Sequence, residues 1–379
     1  MAFTVLQVLP ALGEQGGVER GTVDVAAAIV AAGGRALVAS AGGPRAPVLT
    51  RVGAEHVTMP AGSKNPWVMF RNSRRLAKLI RHEQVDLVHA RSRAPAWSAF
   101  LAAERCGIPF VTTFHGTYRT GGTLKQRYNS IMARGERVIA ISHFIAEHIH
   151  SVYGVPMARL PVIHRGTDLD HFNPDNVSAQ RLITQAARWR LEDGFPLVLL
   201  PGRLTRWKGQ SVLIEALARL QRRDLRCIIL GSDQGRSGYR QELESLIVSR
   251  GLGGIVRLIE RADDLPAAYM LSDVVVSAST EPEAFGRVLV EAQALGRPVI
   301  GTDHGGSRET VVDGETGWLV PPGDPDALAE AIDQVIGLTP AQRMSVAERC
   351  RAHVWAHFGR DTMCAKTLDV YNEVLGGRG

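Results

Sequence analysis

Short apolar runs recur along the chain, and between them apolar positions return every three or four residues. The runs are rich in Val, Ile and Leu and end in Gly, Pro or small polar residues, as strands covered on both faces do. They predict strands over 4–9, 36–39, 85–89, 110–114, 137–141 and 161–164. A second set falls over 197–200, 226–230, 256–259, 273–278 and 298–301. The stretches between have helical period. Alternation of this kind predicts parallel sheets with helices on both sides. The polar segment around Gly166-Thr-Asp-Leu-Asp-His-Phe-Asn-Pro174 separates the two strand sets. The expected fold class is therefore α/β with two doubly wound domains, 1–170 and 171–355, and a helical stretch over 354–374.

In open sheets of this class, ligands bind beyond the carboxyl ends of the strands, so the residues after each strand are the candidate site. After the strand at 273–278 the chain reads Glu283-Ala-Phe-Gly-Arg-Val-Leu-Val-Glu291. Glu283 falls in a loop and Glu291 in a helix predicted over 288–295. The first-turn amides of that helix, near Gly286, Arg287 and Val288, form an anion site between the two carboxylates. After the strand at 197–200 comes Gly202-Arg-Leu-Thr-Arg-Trp-Lys-Gly209, in which Arg203 and Lys208 suit phosphate oxygens, one as a fork and the other as a point charge. Gly16-Gly17 opens the first long helix and admits close approach of an anion. His115 follows the strand at 110–114, where it can bond a sugar hydroxyl; Ser142 and His143 repeat that placement. A second glycine pair, Gly305-Gly306, precedes Glu309. Asp168-x-Asp170 lies in the linker and reads as turn chemistry. No other segment has metal-ligand spacing, so no essential metal is expected.

Composition narrows the classes. Of 379 residues, 45% are hydrophobic and 22% charged, ordinary for a globular protein. The net charge of +6 admits phosphorylated or acidic partners, but no nucleic-acid motif accompanies it. Four scattered cysteines give neither a disulfide framework nor a zinc site, which predicts a reducing, cytoplasmic location. The N-terminal apolar run reads as a first strand, with no basic leader before it. The segment 65–83 reads as a helix with one strongly cationic face. Trp67, Phe70, Arg71, Arg74, Arg75 and Lys78 give it the character of a surface that docks on anionic membrane. Arg91, Arg93, Lys125 and Arg127 add positive charge to nearby loops.

Taken in order, these motifs resemble the retaining glycosyltransferases of family four, from Gly16 to the last helix. That resemblance implies a GT-B fold, two Rossmann-like domains facing a central cleft, with the helix of about 356–379 packed back on the first. It implies hexosyl-type transfer from a nucleotide-diphosphate sugar to an acceptor hydroxyl, without cofactor or metal. Glu291 would hold the ribose, and Glu283 and His115 the donor sugar. Arg203, Lys208 and the amides of Gly16, Gly17 and 285–288 would meet the diphosphate. The implied acceptor is a glycan or lipid-linked molecule of the bacterial envelope, such as lipopolysaccharide, used at the inner face of the cytoplasmic membrane. Departures from the family pattern are Arg165 in Arg-Gly-Thr-Asp where Asn is usual, the loose Gly231–Gly235 turn and Glu260-Arg261 in place of a glycine; the base stays open. Two other readings remain: a nucleotide-sugar epimerase of similar fold, and a non-catalytic glycan- or lipid-binding relative. A nicotinamide-dependent dehydrogenase would need a G-x-G-x-x-G run, which is absent.

Overall fold

The computed structural model describes residues 3–13, 17–118, 122–235 and 237–377. They fall into two compact units, Met1–Gly166 with Arg360–Gly379, and Thr167–Gly359. The chain thus crosses between units at 166/167 and 359/360 rather than at 170 and 355.

The first unit holds a parallel sheet of β1 (Thr4–Val8), β2 (Arg35–Ser40), β3 (Glu55–Thr58), β4 (Leu87–Ala90), β5 (Phe110–Phe114) and β6 (Arg137–Ala140), in the order β3-β2-β1-β4-β5-β6. The second holds β7 (Leu197–Pro201), β8 (Arg226–Leu230), β9 (Val256–Ile259), β10 (Val274–Ser277), β11 (Val299–Thr302) and β12 (Gly317–Val320), in the order β12-β11-β10-β7-β8-β9. Both are doubly wound. The strand order reverses between β1 and β4, and again between β7 and β10, and it is at such reversals that open sheets of this class bind ligands.

Helices cover both faces, so the central strands have no solvent side: β1, β5, β7 and β10 are buried throughout. Each fully buried Val, Leu or Ile contributes roughly 1.5–3 kcal/mol relative to exposure. Register is even, with Val8 opposite Ala39 on one side and Ala90 on the other.

Several expectations about the elements change. The 161–164 run is not a strand; only Val162 bridges Ala140, and Pro161 has no N–H to extend the ladder. β3 escaped notice because Glu-His-Val-Thr carries one strong apolar residue, and an edge strand needs no more. The last helical stretch is two helices, Pro340–His357 and Arg360–Gly376, broken at Phe358-Gly359. There the Thr167 amide donates to the Phe358 carbonyl (2.8 Å). The second helix then returns to the first unit. It packs beside Gly17–Ala31 and puts Cys364, Val370, Tyr371 and Val374 into that core. A buried polar relay fastens it: His89 lies 2.6 Å from the Tyr371 hydroxyl and 2.7 Å from that of Thr113.

Candidate active site

In the second unit, the loops after β7 and β10 meet at the reversal of strand order. Gly209 makes this possible. It ends the Arg206–Lys208 turn at φ +69°, and a Cβ there would lie 1.7 Å from the Ala278 carbonyl oxygen. With the backbones so close, the Thr280 amide donates to the Trp207 carbonyl at 2.7 Å. Lys208 is thereby aimed at Glu283, with Nζ 2.8 Å from Oε1.

Neither member of this pair is well solvated, the side chains being 14% and 10% exposed. Glu283 Oε1 also accepts from Ser277 Oγ (2.9 Å) and Ser279 Oγ (2.6 Å). Burial pushes this carboxyl upward, but the Lys208 ammonium and the hydrogen bonds from Lys208, Ser279 and Ser277 outweigh it. Glu283 is held below its ordinary range, an ionised acceptor fixed in place. Arg203, five residues before Lys208, is exposed, and its guanidinium has no partner among the described residues. It is a cation at the reversal without a counter-charge among the described residues.

Phe285 is buried, and Gly286 leads into the helix Arg287–Ala294. The Leu289 amide is taken by the Gly286 carbonyl, and the earlier first-turn amides point out of the helix end. Glu291, inside this helix, is 3% exposed. Its Oε2 accepts from the Tyr269 hydroxyl (3.1 Å) and its Oε1 from Arg287 Nε (3.1 Å) and Nη2 (2.5 Å). Arg287 therefore spends its fork on Glu291 as an i,i+4 pair. Burial, with the charge of Glu291 next, raises the Tyr269 hydroxyl well above its ordinary range, so it stays a donor.

The second glycine pair supports this loop from beneath. The Gly306 amide donates to the Glu283 carbonyl (2.8 Å), and a Cβ on Gly306 would lie 2.4 Å from Phe285 Cα. Gly305-Gly306 thus shapes the carboxylate loop.

In the first unit, His115 follows β5. Its Nδ1 lies 2.9 Å from Arg165 Nη1, and Arg165 Nη2 donates to the carbonyl of Gly17, the first residue of its helix. Gly16 lies outside the described residues. Burial, then the Arg165, Arg91 and His89 charges, hold the His115 ring well below its ordinary range, so it is neutral. Arg91 is not a loop cation: it is 4% exposed and donates to Gln7 Oε1 (3.3 Å). Ser142 caps the helix His143–Tyr153 by accepting from the Ile145 amide (3.1 Å). Asp168 Oδ1 accepts from the Asp170 and His171 amides, an Asx turn.

A groove of about 920 Å³ opens at the reversal between β1 and β4, lined by Lys64, Arg93, Tyr118, Lys125 and Tyr128 among others. No carboxylate is among its lining residues. Arg93 donates to Asn129 Oδ1 (3.0 Å) and lies 4.4 Å over the Tyr118 ring. Lys64 and Lys125 are exposed, without ion pairs among the described residues. Beside it, Pro66–His82 buries Asn72, Ser73, Leu76, Ala77 and Ile80 and leaves Arg71, Arg74, Arg75 and Lys78 in solvent. Trp67 is 81% exposed.

Sequence reasoning missed Ser277, Ser279, Tyr269 and Arg165 as partners of the site. The two serines alternate at the end of β10 and face the same way, which period-2 logic makes visible. Tyr269 lies on the preceding helix, and nothing local marks it.

Two doubly wound units with cationic loops at their switch points define the GT-B class of fold. Solved structures agree. A glycosyltransferase from Rickettsia africae superposes with a TM-score of 0.91 at 37% identity over 99% of each chain. Anabaena Alr3699/HepE, solved with UDP and glucose, gives 0.82 at 25% identity over 97% of this chain and 99% of that one. The family model "Glycosyl transferases group 1" matches residues 183–351, and "Glycosyltransferase Family 4" matches 15–171. A D-inositol 3-phosphate glycosyltransferase of Xylanimonas cellulosilytica is 33% identical over 77% of this chain and 73% of the relative. The chain belongs to glycosyltransferase family 4 and is a glycosyltransferase. Among its described residues no helix is long and apolar enough to cross a membrane.

Proposed function

We propose that this enzyme transfers a hexosyl group, with retention, from a nucleotide-diphosphate sugar to a hydroxyl of an acceptor that carries an anionic group. The observation that carries the donor half is the Lys208–Glu283 pair at the reversal between β7 and β10. Lys208 has two further N–H donors, and Arg203 has no partner among the described residues. Together with the first turn of Arg287–Ala294 they suit a diphosphate whose charge grows as the sugar leaves. Glu283, ionised and fixed by two serines, accepts from hydroxyls of the sugar. Glu291 keeps one free lone pair, on Oε2, for the ribose. His115, in the first unit, gives a neutral N–H to a sugar hydroxyl. None of these steps needs a metal or cofactor. A UDP-glucose complex of a relative 26% identical to this chain supports a nucleotide-sugar donor.

The acceptor half rests on the groove around Lys64, Arg93 and Lys125, positive and without carboxylates among its lining residues. Relatives named for D-inositol 3-phosphate support an acceptor bearing phosphate. The solvated cationic face of Pro66–His82, with Trp67 exposed, fits docking on anionic lipid and hence an envelope glycan or lipid-linked acceptor at the cytoplasmic side.

Incubation with a panel of nucleotide sugars, reading the melting temperature, tests the donor half. One donor raises it; a flat response to all of them contradicts the assignment. For the acceptor half, Lys125→Glu raises KM for a phosphorylated acceptor and leaves KM for the donor alone. Equal effects on both would contradict it.

A further inference from the structure

We infer that Arg165 is a positioning residue that fixes the tautomer of His115, so that the ring always offers its Nε2–H to the substrate. This deepens the proposed function and rests on its reading of His115 as a donor to a sugar hydroxyl.

The argument is one of hydrogen inventory. A guanidinium has donors and no acceptor. At 2.9 Å from Arg165 Nη1, His115 Nδ1 must therefore be the acceptor, with its lone pair toward the arginine. In the neutral ring the single proton then sits on Nε2. Arg165 is held from its other side, since Nη2 donates to the Gly17 carbonyl. The fork thus spans the opening residue of the first helix and the residue that follows β5.

His115 Nε2 is buried and has no hydrogen-bond partner among the described residues. A donor left without a partner in a buried place is costly, roughly 1–3 kcal/mol, unless a ligand satisfies it. The ring lines a small chamber with Arg91, Thr113, Arg165 and Thr367, with about 20 Å³ for water centres, room for a single water. The ligand class is thus an oxygen acceptor, a sugar hydroxyl oxygen in the proposed reaction.

The same geometry excludes the imidazolium, which has no lone pair for Arg165. The charged and titratable groups that act on the ring are Arg165 beside it, and Arg91 and His89 from the β4 side. None is a carboxylate that would favour a proton.

Ring-nitrogen NMR of histidine-labelled wild-type protein tests the tautomer without any substitution, the His115 signal being assigned by its loss in His115→Gln. The expected result is a single Nε2–H form from about pH 5.5 to 8, below and above the ordinary histidine midpoint. An Nδ1–H form or an imidazolium at pH 7 overturns the inference. In Arg165→Met the ring takes both tautomers and titrates near the ordinary midpoint. There kcat falls about 10-fold, less than the full loss of a preorganised donor, with donor KM within about two-fold and a new acid limb in the rate profile. Arg165→Lys, still a donor, restores the tautomer and part of kcat. An unchanged ring and rate profile in Arg165→Met also overturns the inference. Full activity in His115→Gln, by contrast, refutes the reading of His115 while the NMR still decides the role of Arg165.

Discussion

Replacing Lys208 by Ala removes the cation that Glu283 was buried against. At 2.8 Å and an effective dielectric of about 20, the attraction amounts to roughly 6 kcal/mol before desolvation is subtracted. Breaking a buried pair by deleting one partner typically costs about 3–5 kcal/mol. The two serine hydroxyls stay behind on Glu283 Oε1, which puts the cost near the lower figure. For a unit of this size each kcal/mol moves the midpoint by about 2–4 °C, so the transition of the second unit should fall by roughly 6–12 °C. Turnover has a separate loss, the missing charge on the leaving diphosphate, of about 10²-fold or more. Calorimetry and initial rates under donor saturation measure the two effects. Glu283→Gln leaves Lys208 in a poorly solvated place, and the double variant Lys208→Ala/Glu283→Gln should be less destabilised than the sum of the singles by more than about 1 kcal/mol. An unchanged midpoint with turnover within two-fold of wild type would refute the reasoning, as would strict additivity.

Because Glu283 is held below its ordinary range, its contribution is complete above the unfolded value of about 4.3 and is lost as pH falls through the folded value. Stability of the wild type, followed by thermal unfolding from pH 7 to 3, should therefore drop more steeply below about pH 4.3 than that of Glu283→Gln. Gly306→Ala sits at an ordinary backbone angle, so its only fault is the contact with Phe285; the variant should fold with a lowered midpoint and lose turnover with the displaced Glu283 loop, and wild-type kinetics would contradict that account. Trp67→Ala with Arg74→Glu should abolish co-sedimentation with vesicles containing anionic lipid and leave transfer to a water-soluble acceptor intact; retained sedimentation would remove the membrane role.

Much of the fold is written in local pattern, because strands buried on both faces must be apolar along their length. Phe110–Phe114 and Arg226–Leu230 are found where periodicity places them. What escapes is set by context. The edge strand Glu55–Thr58 has no fully buried residue and so carries little signal. The break at Phe358-Gly359 is imposed by the pairing of Thr167 with the distant end of the chain. The site divides along the same line. Lys208 and Glu283 stand out because strand exits are the places to look, and β7 and β10 are neighbours at the reversal. That they pair with each other is legible only in three dimensions. Arg165 stands out in sequence merely as an oddity in its motif, and its role follows from two atoms brought to it from residues 50 and 148 positions away.

The most direct test of retaining transfer is proton NMR of the glycoside formed from an α-linked nucleotide sugar and a phosphorylated acceptor, read before the anomers can equilibrate. The account predicts an α-linked product and release of nucleoside diphosphate, both suppressed in Lys208→Ala. A β-linked product, or an altered nucleotide sugar formed without acceptor, would contradict it.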